Sequence, residues 1–296
     1  QAFLYHLSPY PVAALSFVGS TPTAQHSNET ASKNGKRVQA LGGAKNHMLV
    51  LPDADLDLVA DQAINAGYGS AGERCMAISV VLAIEPVADK LIEKVTERIA
   101  KLRIGDGTPT DTHKEPDMGP IVSEVHRDKI ASYIQIAKDD GADVLVDGRT
   151  IQAEGADGGF WLGPTLIDNL PTTSRAYTEE IFGPVLGIVR VKSFEEGVEL
   201  INTGQFGNGT AIFTNDGGAA RRFQNEIQVD MIGINVPIPV PVAYYSFCGW
   251  KDSAFGDSKA YGLQGFHFYT REKAVTSRWL DPAKHGGINL GFPEND

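Results

Sequence analysis

Short apolar runs alternate along this chain with segments whose apolar residues recur every three or four positions, and that alternation limits the fold more than any single motif. Val12 to Val18 reads as a buried strand, and Gly19-Ser20-Thr21-Pro22 as a tight turn leading into a helix with proline near its first position. Lys36 to Leu41 and His47 to Leu51 are further strand candidates. Pro52-Asp53-Ala54-Asp55 opens a helix reaching about Ala66, its early acids suited to the positive end of the dipole. Val87 to Leu102 is the clearest helix: Leu91, Ile92, Val95, Ile99 and Leu102 fall three and four apart with charges between them. A similar helix spans Glu124 to Lys138, followed by a strand at Val144 to Val146. Strands at Val185 to Val191, Thr210 to Phe213 and Met231 to Asn235 then alternate with helices at Phe194 to Asn202 and Ala219 to Ile227. This order predicts an α/β fold with a largely parallel sheet. Pro237-Ile-Pro-Val-Pro241 cannot be a central strand, because each proline lacks a ladder donor, and it reads as an extended loop.

Composition narrows the partners. The net charge is −11, and no basic stripe interleaves with aromatics, so a nucleic-acid partner is not expected. No run approaches the roughly 18 apolar residues of a membrane span, and the opening lacks the charged and small-residue pattern of a signal peptide. Cys75 and Cys248 are too few for a disulfide framework, which suits the cytoplasm, or the mitochondrial matrix in a eukaryote. The seven histidines show no metal-ligand spacing, so no metal is expected. Gln1-Ala2-Phe3-Leu4 reads as the middle of a longer protein.

Cys75 stands in Gly67-Tyr-Gly-Ser-Ala-Gly-Glu-Arg-Cys-Met76. Gly67, Gly69 and Gly72 spell a dinucleotide fingerprint, but a weak one: they follow a helical stretch and no βαβ unit surrounds them. The stronger reading is a small-residue approach that delivers a cysteine beside Arg74, a cation that favours the reactive thiolate. Against it stands the commoner fate of a lone cysteine, which is inert burial. Cys248 is read as a packing residue, and Glu73 as badly placed to act as a base beside Cys75.

Phe17-Val18-Gly19-Ser20-Thr21, Ala40-Leu41-Gly42-Gly43, Gly72-Glu73-Arg74-Cys75 and Glu179-Glu180-Ile181-Phe182-Gly183-Pro184-Val185 occur in the order found in the aldehyde dehydrogenase superfamily. Ile234-Asn235 and Phe247-Cys248-Gly249-Trp250-Lys251 resemble its closing motifs, so the resemblance runs from about Leu15 to Trp279. It implies the carboxyl-terminal part of that fold: a remnant of the NAD-binding domain over 1–43, the catalytic domain over 44–262, an oligomerisation strand within 263–280 (His267 to Ser277) and a flexible tail over 281–296. It implies Cys75 as the nucleophile that forms a thioester, its backbone N–H helping to hold the oxyanion. Gly19, Ser20 and Gly42 would border NAD, Glu180 would hold the nicotinamide ribose, and Phe182 would pack near the nicotinamide.

Departures from the family pattern indicate the subclass. Most members have Glu-Leu-Gly-Gly, whose glutamate activates the hydrolytic water; this chain has Ala40, which accepts no proton. A thiol such as coenzyme A needs no such base. Ala40-Leu-Gly-Gly-Ala-Lys-Asn-His47 with Gly-Glu-Arg-Cys75 resembles the CoA-acylating methylmalonate-semialdehyde dehydrogenases, which implies Arg74 as a partner of the substrate carboxylate and a homotetramer. The upstream residues for the adenosine ribose, the oxyanion hole and a second substrate arginine have no counterpart in residues 1 to 14. An open sheet edge near the start is therefore expected. Two alternatives stay open: a hydrolytic aldehyde dehydrogenase with another base, and a non-catalytic remnant that only oligomerises.

Overall fold

A strand buried on both faces favours a near-continuous apolar run, and three largely apolar strands form the centre of the molecule. In the computed structural model, which describes residues 12–108, 115–151, 153, 158–277, 279, 290 and 291, these are β3 (Asn46–Val50), β4 (Ile78–Ile84) and β7 (Val185–Val191). They belong to a seven-stranded sheet with β5 (Asp143–Val146), β6 (Thr165–Asp168), β9 (Gly209–Phe213) and β10 (Met231–Ile234), in the order β10-β9-β3-β4-β7-β6-β5. Every pairing is parallel except that of the edge strand β5 with β6. The expected parallel α/β sheet is present.

A smaller sheet lies at the front of the chain. There β1 (Ala14–Val18) pairs in parallel with β2 (Arg37–Leu41) across helix α1 (Thr21–Lys33). A third strand arrives from far along the sequence. After β11 (Trp250–Lys251), which pairs with β8 (Phe206–Gly207), the chain turns into β12 (Ala254–Phe255) and joins β2 antiparallel. The sheet that begins within 1–43 is thus completed by residues some 200 positions later, a closure no local pattern announces. Among the described residues β1 pairs on one side only, and Val18 at its end is 65% exposed.

Local signals placed most helices. In α2 (Leu56–Tyr68), the Asp55 carboxylate caps the start by accepting from Asp57 and Leu58 N–H. The apolar stripe of α3 (Ala88–Ile99) buries Ala88, Leu91, Val95 and Ile99, spaced three or four apart. Helices α4 (Glu124–Asp139), α5 (Arg175–Thr178), α6 (Phe194–Thr203) and α7 (Gly217–Glu226) complete the connections, α4 and α6 beginning on Ser123 and Ser193 caps. Residues 236–242 are irregular, as the prolines require.

Two readings need correction. The central strand β4 is not among the sequence-predicted elements. Ile-Ser-Val-Val-Leu-Ala-Ile shows no alternation because both of its faces are covered, and a short uniform run has no diagnostic period. The expected oligomerisation strand from His267 to Ser277 is not a strand in this chain. Its first part is helical, within α8 (Gly262–Tyr269), and 270–277 form neither helix nor strand. Arg37 donates to the carbonyls of His267 (3.2 Å) and Thr270 (2.7 Å), satisfying groups that a helix end leaves open, while Phe268 is buried beneath it. The predicted tail over 281–296 lies outside the described residues apart from Leu290 and Gly291.

Candidate active site

Cys75 sits on the connection between α2 and β4, where the backbone departs sharply from helical geometry. Ser70 (φ 53°), Ala71 (φ 54°) and Gly72 (φ 70°) are three successive left-handed residues. Two carry a Cβ, a conformation that persists only where its surroundings hold it in place. At Gly72 those surroundings are explicit: a Cβ there would lie 2.2 Å from the Gly183 carbonyl oxygen. The cysteine loop is therefore docked directly on the Glu179–Val185 segment. Gly67 lies in α2 and packs toward the Ile78 carbonyl, and Gly69 faces the Arg74 guanidinium. The three glycines of the fingerprint alternative serve helix and loop packing.

The loop brings Cys75 to a cavity of about 320 Å³ lined by Val18, Gly19, Ser20, Gly42, Cys75, His126, Lys129, Glu180 and Phe182. Every site residue expected from the sequence except Arg74 borders this one space. Gly19 and Ser20 form the turn from β1 into α1, with Ser20 at the N-cap and Pro22 in the first turn. Gly42 closes the far wall, where a Cβ would lie 2.6 Å from the Asp252 carbonyl oxygen. Phe182 holds a left-handed backbone (φ 59°) and presents a partly exposed ring.

Glu180 is anchored by the Ala44 N–H, which donates to its Oε1 at 2.8 Å. Burial raises its carboxyl above the ordinary range, opposed by that N–H and by Lys45, Lys129 and His126. Lys45 lies just behind it, buried, donating to the carbonyls of Ala176 (2.7 Å) and Glu179 (2.9 Å). Burial pushes the Lys45 ammonium down to about 7, against the pull of Glu180 and Glu179. Next to it, burial and the Lys45 charge push His47 down to about 3, and its Nε2 pairs with the Tyr177 hydroxyl at 3.1 Å. These two line a separate cavity of about 410 Å³ that contains none of the expected site residues.

Arg74 borders a different space from the one that the other expected site residues share. Its Nε donates to the Ser70 hydroxyl at 3.0 Å, and its guanidinium stacks over Gly69. It shares a narrow second space with Cys75, Glu180 and Phe182. Burial raises the Cys75 pKa, the N–H groups of Cys75 and Met76 lower it, and Glu180 raises it. The expected cation lies beside Cys75 and bonds within its own loop.

His126 and Lys129 escaped the sequence reading. Both are carried by α4; His126 Nε2 donates to the Phe182 carbonyl at 2.7 Å and stands 3.5 Å from Glu73 Oε1. Their helix was predicted, but no local signal says which cavity one face of it reaches. Glu73 also accepts a long bond from Val122 N–H (3.4 Å), and Cys248 is buried. Ala40 is buried in β2. Among the described residues no three His, Cys, Asp or Glu gather to hold a metal, and no helix is long and apolar enough to cross a membrane.

Residues 8–275 match the aldehyde dehydrogenase family. The chain belongs to that family. A malonate-semialdehyde dehydrogenase from Pseudomonas aeruginosa is 52% identical over 95% of this chain and 56% of its own length. The crystal structure of a methylmalonate-semialdehyde dehydrogenase from Oceanimonas doudoroffii is 49% identical and superposes with a TM-score of 0.90, covering 94% of this chain and 56% of that one. A candidate methylmalonate-semialdehyde dehydrogenase from Sinorhizobium meliloti 1021, solved with NAD, is 48% identical with a TM-score of 0.89, covering 93% of this chain and 55% of the other. The chain thus spans about half the length of the relatives it matches.

Proposed function

We propose that this chain forms the cysteine-bearing part of an NAD-dependent, CoA-acylating dehydrogenase that converts malonate or methylmalonate semialdehyde to acetyl-CoA or propionyl-CoA with loss of CO2. The observation that carries this reading is the convergence of Gly19, Ser20, Gly42, Glu180 and Phe182 on the cavity bordered by Cys75, together with alanine at position 40. The names of the relatives supply the semialdehyde.

The residues fit NAD. The peptide groups of Gly19 and Ser20 open a helix whose N-terminal end favours a pyrophosphate. The Glu180 carboxylate offers acceptors for ribose hydroxyls, and the Phe182 ring a flat apolar face. NAD, when bound, supplies the two-electron acceptor for aldehyde oxidation. Cys75, as thiolate, adds to the aldehyde carbon, and its own backbone N–H is the nearest candidate donor to the developing oxyanion. The acyl group then rests on Cys75 as a thioester. Ala40 cannot take a proton from water, so release falls to the thiol of coenzyme A, which displaces Cys75 from the acyl carbon.

Arg74 pairs with the substrate carboxylate in this reading, which requires it to leave Ser70. The regions 1–43, 44–262 and 263–280 serve as nucleotide-side, catalytic and subunit-contacting parts of a homotetramer, for which the cytoplasm is the natural compartment.

The test is NADH formation from either semialdehyde with NAD, with and without coenzyme A, on this chain and on Cys75→Ser. Sustained CoA-dependent turnover that disappears in Cys75→Ser is the expected result. Equal turnover without coenzyme A favours the hydrolytic alternative. Folded protein with no Cys75-dependent burst makes this span a remnant that acts only in assembly.

A further inference from the structure

Arg74 bonds to Ser70 within its own loop, and the Glu180 carboxylate raises the pKa of the nearby Cys75 thiol. What surrounds its backbone is more specific. Two side-chain amides converge on the Cys75 carbonyl: Asn46 Nδ2 donates to it at 2.9 Å and Asn208 Nδ2 at 2.8 Å. Both are buried, 2% and 6% exposed. Asn46 begins β3, and Asn208 immediately precedes β9, the strand that pairs with β3. The amides are also braced together, because Asn46 Oδ1 accepts from the Gly209 N–H at 3.1 Å. Asn46 further donates to the Ala77 carbonyl at 2.9 Å, and Asn208 Nδ2 lies 3.0 Å from the Met76 sulfur.

A peptide unit is flat, so holding its carbonyl also aims its N–H in the opposite direction. Here the unit joins Cys75 to Met76, and the Met76 N–H is one of the two main-chain groups that favour the ionised Cys75 sulfur against burial. A carbonyl that accepts two N–H groups polarises its own peptide and strengthens that N–H as a donor. We propose that Asn46 and Asn208 are positioning residues that lock the Cys75–Met76 peptide through its carbonyl, fixing the orientation of the Met76 N–H next to the Cys75 side chain and so favouring the thiolate. The proposal rests on Cys75 as the nucleophile. Neither asparagine touches substrate in it; both act through the peptide.

Asn208 carries the test, because its amide meets only Cys75 and Met76, whereas Asn46 also ties Ala77 and Gly209. Cys248→Ser leaves Cys75 as the sole thiol, so iodoacetamide alkylation followed across pH reports its titration directly. In that background Asn208→Leu keeps the branched shape, at a somewhat larger volume, and removes the donor. Its alkylation midpoint is expected to move up by about half a pH unit or more, slowing alkylation at pH 7 about threefold. Val95→Ala, a cavity in the α3 stripe, is expected to lower stability without moving the midpoint. An unmoved midpoint in folded Asn208→Leu, or in Asn208→Ala should the leucine variant not fold, overturns the proposal. A midpoint that moves equally in Val95→Ala overturns it too. NADH turnover by the parent chain tests the nucleophile reading separately: failed turnover counts against that reading, and an unshifted midpoint with intact turnover counts only against the clamp.

Discussion

Glu179 and Glu180 carry the same carboxyl one residue apart, and the two faces of the segment they occupy treat it in opposite ways. Backbone at Glu179 is extended (φ −99°, ψ 153°), which sends successive side chains to opposite sides. Glu179 turns outward, where Arg175 binds its Oε1 through Nε (2.7 Å) and its Oε2 through Nη2 (3.1 Å), and the Tyr133 hydroxyl donates to Oε2 as well. Arg175 and Tyr133 hold its carboxyl below the ordinary range. Glu180 turns inward to the cleft, where burial raises its carboxyl and a single main-chain N–H anchors it. Lys45 spans the two faces, bonded to the Glu179 carbonyl and lending charge to Glu180. The outer carboxylate is saturated with protein partners, while the inner one is held at a cost. A buried carboxyl with few direct hydrogen-bond partners is the kind a ligand can use.

Glu180→Gln is the largest test of that contrast. NADH formation at limiting NAD should fall about tenfold to a hundredfold, because a charged acceptor becomes a neutral one. Melting temperature should rise at neutral pH, since a buried charge is removed while the acceptor for Ala44 N–H remains. The sign follows from linkage: with the folded pKa raised, the folded state holds more protons, so stability declines as pH climbs from the ordinary carboxyl pKa through the raised one. A variant that melts lower at pH 7 breaks the comparison.

Lys45→Met comes next. It leaves the carbonyls of Ala176 and Glu179 without their donor, a loss of about 1–2 kcal/mol partly offset by removing a buried cation. The sharper readout is the alkaline limb. Because Lys45 is lowered to about 7, the unfolded chain binds more protons above that pH, so parent stability rises from about pH 7 toward the ordinary lysine value of 10.5. Denaturant titrations of the methionine variant should show a flatter rise.

Glu179→Gln should have the smallest effect and the opposite sign to its neighbour. After discounting for solvent screening of a carboxyl that is 42% exposed, stability should fall by about 0.5 kcal/mol, with NADH formation unchanged. Its depressed folded pKa means this contribution is present above the unfolded carboxyl pKa and disappears as pH drops through the folded one. A loss that persists after complete protonation would mean packing against Tyr133, and not charge, holds the outer face.

Much of the fold was legible because its signals are local. Caps at Asp55 and Ser123 and the Leu91–Val95–Ile99 stripe act within a turn or two, and β7 falls on Val185–Val191 as its apolar run predicts. The ordered motifs around Gly19, Gly42, Cys75 and Glu180 likewise pointed to one cleft, and the cavity brings them together. β4 went unread although its run of apolar and β-branched residues was in view, since two-sided burial erases the period that identifies a strand.

What the sequence by itself determined is the chemistry of the positions: a cysteine at 75, a carboxyl at 180, no proton acceptor at 40, and the helices and strands that carry them. Only the tertiary structure decided their partners. Adjacency in sequence suggested Arg74 for Cys75, but a left-handed loop docked on Gly183 turned the guanidinium to Ser70. The amides that grip the Cys75 carbonyl come from 29 and 133 residues away, brought together by the pairing of β3 with β9. The reason is one of range: caps and periodicity are settled by neighbours along the chain, whereas electrostatic environment is set by whatever the sheet order brings within a few ångströms.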